Sequence, residues 1–164
     1  MLNKKMITKK NKGIWLYGIS GSGKTIASKF FKKKIKNAFI FDGDKVRKYI
    51  SFDLGYSLRD RKIQLKRMFG LAKLSKHSNI FPILSTVYMS QSLKKKLKKE
   101  KILSIKIHRE FTKIKNRKKI YNKKTKNVIG IDIKIPGLKN EFIIKNNETK
   151  TSFYKKLKQI IYGR

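Results

Sequence analysis

The chain has 164 residues, a length that suits a single domain, and its 45 lysines and arginines against 9 acids give a formal charge of +36. With 39% hydrophobic residues it can bury a core, while the absence of cysteine excludes disulfides, thiolate metal sites and thiol nucleophiles. No run reaches the roughly 18 apolar residues of a membrane helix, and the opening MLNKKMITKK has no apolar stretch after its lysines, so the expectation is a soluble, cytoplasmic protein with no membrane span.

Residues 1–12 are lysine-rich without periodicity and are expected as a basic flexible tail before one domain over 13–164. Ile14-Trp15-Leu16-Tyr17 is a short apolar run ending in a glycine cluster, the pattern of a buried parallel strand. Ile26, Ala27, Phe30, Phe31 and Ile35 then recur at helical spacing, with lysines on the other face. A second strand over 38–41 stops at Asp42-Gly43-Asp44, and a short helix through Val46 and Ile50 follows. Ser57, with Asp60 three residues on, predicts a capped helix to about Lys76 with Ile63, Met68, Leu71, Ala72 and Ser75 on one face. A third strand over 80–84, a lysine-studded helix over 90–99 and a fourth strand over 102–107 come next, the lysines at 94–96 and 98–99 reading as a solvated face. The polar, basic and weakly patterned stretch 110–127 is expected to be mobile. A last strand at 142–144 precedes a helix marked by Phe153, Leu157, Ile160 and Ile161 and capped by Thr151. Strands alternating with helices predict an α/β fold, a parallel sheet sandwiched by helices.

The chemistry concentrates early. Gly18-Ile19-Ser20-Gly21-Ser22-Gly23-Lys24-Thr25 fits G-x-x-x-x-G-K-[ST] between a strand and a helix, the context of the phosphate-binding loop of P-loop NTPases. Its glycines let backbone N–H groups curl around an anionic phosphate, with the helix N-terminus behind them. Lys24 is then placed to reach the β- and γ-phosphates of ATP, and the Thr25 hydroxyl to hold Mg²⁺. Asp42 and Asp44 end the second strand, where ligands bind in open parallel sheets, and a carboxylate there can accept a hydroxyl proton or hold a magnesium-bound water. Arg47, Arg59, Arg61 and Arg67 crowd four of the seven arginines into 21 residues, as a second anionic ligand would require. His77 and His108 have no second ligand at metal spacing and read as structural.

The run FDGDKVRKYISFDLGYSLRDRKIQLKRM resembles the adenylyl-sulfate kinases. Asp42, Gly43, Asp44, Val46 and Arg47 match that family's DGDxVR element, Asp53-Leu54-Gly55-Tyr56-Ser57 its DLGFS, and Asp60, Arg61 and Arg67 its DRxxNxxR. Lys118 and Tyr121 are similar to its K-G-L-Y lid element, and Lys126-Asn127-Val128-Ile129-Gly130-Ile131-Asp132 to its K-N-F-T-G-I-D. The resemblance implies transfer of the ATP γ-phosphoryl group to the 3′-hydroxyl of adenylyl sulfate with Mg²⁺. Asp42 or Asp44 would handle the hydroxyl proton and the magnesium shell, Arg47 and Arg61 would hold the acceptor's anionic groups, Tyr56 would stack on its base, and Lys126 belongs to the same acceptor side.

This chain also departs from the pattern. Gln64 stands for the family's Asn, Val128 for its second base-stacking aromatic, Val87-Tyr88-Met89 for its I-S-P, and Lys115-Asn116-Arg117 for the R-D-P of its lid. The ATP side is intact and the acceptor side altered, which leaves open a related acceptor, such as the cytidine diphosphoramidate used by kinases of capsule pathways. A rival of another class is a nucleic-acid-associated protein using the basic surface. Yet 38 of the 45 basic residues are lysine, and Lys, Ile, Asn, Phe and Tyr, all plentiful, share A/T-rich codons. Nucleic-acid readers favour arginine for bidentate contacts, so compositional drift accounts for the charge at least as well. The expected partner is therefore a small-molecule nucleotide, and a homodimer is the assembly considered.

Overall fold

A computed structural model of the protein describes residues 10–115, 121 and 126–163, together with Ile7. Among the described residues five parallel strands, β1 (Gly13–Tyr17), β2 (Ala38–Asp42), β3 (Phe81–Thr86), β4 (Ile102–His108) and β5 (Ile143–Lys145), form one sheet in the order β2-β3-β1-β4-β5. Among the described residues six helices connect and cover them: α1 (Lys24–Lys34), α2 (Gly43–Tyr49), α3 (Leu58–His77), α4 (Gln91–Lys99), α5 (Thr112–Lys115) and α6 (Lys150–Tyr162). Among the described residues no helix is long and apolar enough to cross a membrane.

Period-two alternation along β1 sends Ile14 and Leu16 to one face of the sheet and Trp15 and Tyr17 to the other. On the first face they meet Ala27, Phe30 and Phe31 of α1 and Phe153, Leu157 and Ile160 of α6. On the second they meet Val46 of α2, Leu65, Met68 and Ala72 of α3, and Leu93 and Leu97 of α4. Each such fully buried large side chain is worth about 1.5–3 kcal/mol, so burial on both faces holds the sheet between its helices.

The helix after β1 therefore lies on the opposite face from the helix after β3, although β1 and β3 are hydrogen-bonded neighbours. Their connecting loops diverge and open a crevice at the carboxyl ends of the strands, the topological switch point where ligands bind in such sheets. A third apolar cluster caps that end: Ile19, Ile114, Tyr121, Val128 and Ile129, with Val87, Tyr88 and Phe111 against them.

Local features add detail to the sequence expectations. In the stretch 110–127 the described residues include α5, and Ile114 and Tyr121 are buried; Asn116, Arg117 and Lys118 lie outside the described residues. Most of the expected tail is also outside them, while Ile7 donates its N–H to the Ile160 carbonyl at 2.9 Å and packs on the core. The cap of α6 is Thr149, whose hydroxyl accepts the Ser152 N–H, so the helix begins two residues before a Thr151 cap would allow. Ile26 is 38% exposed, because the first turn of α1 borders the crevice. Within the lysine face of α4, Lys94 turns inward to donate to the Lys139 and Asn140 carbonyls, and loss of solvent lowers its pKa.

Candidate functional site

The phosphate loop joins β1 to α1. Gly18 has φ +149, and a Cβ there would lie 2.2 Å from the Ile107 carbonyl oxygen, so only glycine lets the loop leave the strand this close to β4. The Gly18 N–H donates to the Thr86 carbonyl at 3.2 Å, tying the loop to the end of β3. Lys24 folds over the loop, its Nζ donating to the Gly18 and Ile19 carbonyls at 2.8 and 3.0 Å. Ser20, Gly21, Gly23, Lys24 and Thr25 line a cavity of about 320 Å³ whose far wall is Asp42, Gly43, Asp44, Ser85 and Thr86. Ile19 and Ser22 turn away, Ile19 into the third apolar cluster and Ser22 into full burial.

The two aspartates play different local parts. Asp42 caps α2: its Oδ1 accepts from the Asp44 and Lys45 N–H groups at 3.1 and 3.4 Å, and its Oδ2 accepts the Ser85 hydroxyl at 3.3 Å. Asp44 faces the cavity from the first turn of that helix. Thr25, Ser85, Asp42 and Asp44 thus bring oxygen donors alone to one wall-to-wall space, the donor type Mg²⁺ selects, and Mg²⁺ uses one or two carboxylates with substrate phosphates and water. Among the described residues no cluster of three or more His, Cys, Asp or Glu forms a closed cage. The residues therefore fit an open magnesium–nucleotide site.

A second cavity, of about 250 Å³, adjoins the first and shares Ser20, Gly43, Asp44, Thr86 and Val87 with it. Arg47, Tyr56, Arg61, Gln64 and Val128 line it. The Arg47 and Arg61 guanidiniums lie 4.8 and 5.6 Å from the centroid of the Tyr56 ring, which is 56% exposed. Arg47 is held by the Leu54 and Gly55 carbonyls, and Arg61 donates to the Tyr56 carbonyl at 3.0 Å and the Asn127 carbonyl at 2.9 Å. Burial first, then the charge of Arg47, lowers the pKa of Arg61. Two cations converging on one cavity are relieved by an anion between them. Gln64, 4% exposed, donates Nε2 to the Gly43 carbonyl at 3.2 Å. That carbonyl can only accept, which fixes the amide and leaves its buried Oε1 without a partner. Val128, 4% exposed, forms part of the cavity wall, and its N–H donates to Asp132 at 3.0 Å.

Lys126 is exposed and, like Gly18, Ile19 and Ser22, lines neither cavity. Arg67 pairs bidentately with Asp53 instead of facing the crevice. Sequence reading also missed members of the site. Thr86 accepts from the Trp15 indole at 2.9 Å and donates to the Tyr88 carbonyl at 2.8 Å, setting the loop after β3 that walls both cavities. Tyr121, expected only as a lid residue, donates its hydroxyl to the Ser20 carbonyl at 2.9 Å and so closes the second cavity against the phosphate loop.

The model of the adenylylsulphate kinase family matches residues 10–142. An adenylyl-sulfate kinase of Clostridium acetobutylicum is 30% identical over 103 residues, 60% of this chain and 50% of that protein. Another from Pseudomonas aeruginosa is 39% identical over 79 residues, 45% of this chain and 40% of that protein. The chain therefore spans at most about half the length of these curated relatives. In fold it matches the Mycobacterium tuberculosis APS kinase CysC in complex with AMPPNP and APS, at TM-score 0.79 and 21% identity over 93% of this chain and 96% of that one. With a phosphate loop and a second, arginine-lined cavity at the switch point of a parallel sheet, and a family model covering 133 of its residues, the chain belongs to the adenylylsulphate kinase family.

Proposed function

We propose that the protein transfers the γ-phosphoryl group of ATP to the 3′-hydroxyl of adenylyl sulfate, giving 3′-phosphoadenylyl sulfate and ADP. The observation that carries this reading is the pair of adjoining cavities, one walled by the phosphate loop and one by paired arginines, that share the Gly43–Asp44 corner. A donor and an acceptor that react in line need such a shared corner, because phosphoryl transfer depends on positioning and charge stabilisation more than on a strong nucleophile. The names of the relatives support the acceptor.

In this reading the loop N–H groups and Lys24 hold the β- and γ-phosphates, and Thr25 with Asp42 would hold Mg²⁺, which when bound would supply charge neutralisation for the transferring phosphoryl group. Asp44, open to both cavities, orients the acceptor hydroxyl and takes its proton. The hydroxyl oxygen forms the new bond to the γ-phosphorus, the bond from that phosphorus to the bridging oxygen breaks, and its electron pair leaves with ADP. Arg47 and Arg61 bind the acceptor's phosphate and sulfate end, and Tyr56 packs on its base.

Gln64 and Val128, both in the second cavity, favour one alternative: the same reaction on a nucleotide with a smaller base. Acceptor-stimulated ADP formation, measured across adenylyl sulfate and adenine and cytosine nucleoside 5′-diphosphate derivatives, separates the two. The highest kcat/KM is expected for adenylyl sulfate; a preference for a cytosine nucleotide would move the function to the alternative.

A further inference from the structure

We propose that Asn146 is a positioning residue for the phosphate loop, fixing the Ser22–Gly23 peptide so that the Gly23 N–H faces the phosphate cavity. The proposal rests on the reading that residues 18–25 bind nucleotide phosphate, and it concerns a residue 124 positions away from the loop, outside every motif of the sequence.

Asn146 follows the last residue of β5 and is 6% exposed. Its backbone N–H donates to the His108 carbonyl at 2.7 Å, extending the β4–β5 ladder and fixing its main chain. From there its Nδ2 donates to the Ser22 carbonyl at 2.8 Å. The carbonyl can only accept, so the amide's NH₂ and not its oxygen must face it. In a planar trans peptide the C=O and the following N–H point in opposite directions. Pinning the Ser22 carbonyl toward Asn146 therefore turns the Gly23 N–H the other way, toward the cavity that Gly23 lines with Lys24 and Thr25.

Gly23 is the second half of the same device. It adopts φ +111 as the N-cap of α1, and a Cβ on it would lie 2.5 Å from the Asn146 Nδ2 and 3.4 Å from Phe153. A side chain there would push Asn146 off the carbonyl. Glycine at this position thus admits the clamp as well as the left-handed turn.

The test uses the full chain, with inorganic tripolyphosphate as the probe and two variants. Asn146→Leu removes the donor at similar volume, and Asn146→Asp places a carboxylate oxygen against the Ser22 carbonyl. Calorimetry gives affinity, and the Gly23 amide resonance in a nitrogen-labelled sample reports whether that N–H meets phosphate. In the wild type, tripolyphosphate binds and shifts the Gly23 amide. In Asn146→Leu, affinity is expected to fall about tenfold, the scale of one lost hydrogen bond, and the Gly23 shift to shrink; Asn146→Asp should lose at least as much. Folded variants that bind like the wild type, or keep the full Gly23 shift, would overturn the assignment. Variants that fail to fold would overturn it too, by making Asn146 purely structural. A wild type that binds no tripolyphosphate would instead overturn the phosphate-loop reading, and this proposal with it.

Discussion

Two positions apart, Asp42 and Asp44 meet different surroundings, and kinetics can separate them. Asp44 is open to both cavities, so Asp44→Asn should lower kcat by about 10²–10⁴-fold, the usual span for a general base, with little change in acceptor KM because the interaction matters most in the transition state. Asp42→Asn keeps an N-cap of equal quality, so its thermal midpoint should hold while activity falls through the lost charge at the metal; full activity in that variant would leave Asp42 as a cap alone. On the acceptor side, Tyr56→Ala should raise acceptor KM more than tenfold, as an aromatic–base contact is worth roughly 1–3 kcal/mol. Val128→Phe should lower KM for adenylyl sulfate by supplying a second ring to the cavity, and equal KM values for both variants on adenine and cytosine nucleotides would show that neither residue faces the base. At this scale the sequence was readable where chemistry needs contiguous residues, as in Gly18 to Thr25 or Asp42 to Arg47. It was silent on Asn146 and Thr86, which approach the loop from parts of the chain far off in sequence, while Lys126 stays exposed and outside both cavities.

Helix α3 shows how a local signal can be complete. The Ser57 hydroxyl accepts the Asp60 N–H at 3.1 Å and donates to the Asp60 carboxylate at 2.8 Å, a reciprocal cap expected from the spacing of the two residues. Ser57→Ala should lower stability by about 1 kcal/mol, measured by urea unfolding, and should also raise acceptor KM, because Arg61 and Gln64 ride on the first turns of this helix. Unchanged unfolding would mean that the cap contributes nothing. Helix α6 shows the opposite case. Thr149 and Thr151 both precede the apolar positions at helical spacing, and the choice falls to Thr149, where Glu148 also pairs with Lys156 across the first turns. The stretch containing α5 was unreadable for another reason. Phe111, Ile114 and Tyr121 give no sustained period, since they are placed by contacts within the third apolar cluster: the Phe111 and Tyr121 rings meet edge-on at 5.1 Å, and Ile114 sits with Val128 and Ile129.

For the whole molecule, the alternation of strands and helices was enough to expect a parallel sheet covered on both faces, whereas the strand order β2-β3-β1-β4-β5 is a property of long-range pairing that no window of sequence contains. That order matters for function, because it sets β1 beside β3 and opens the crevice between their loops. Charge also acts at this scale. With 45 basic and 9 acidic residues, the folded state repels itself, so its unfolding temperature should rise by several degrees as salt increases from ~0.01 M to ~0.1 M, where screening shortens from ~30 Å to ~10 Å. A midpoint independent of salt would show that the lysines are too well solvated to interact. Acceptor-dependent turnover, by contrast, needs no nucleic acid in this account. Phosphoryl transfer between the two adjoining cavities can be followed by incubating the chain with Mg²⁺, γ-labelled ATP and adenylyl sulfate and locating the label. Label is expected on the 3′-oxygen of adenylyl sulfate, with ADP in equal amount and a loss of both by orders of magnitude in a folded Lys24→Ala variant. Absence of label from adenylyl sulfate, or undiminished transfer by Lys24→Ala, would contradict it.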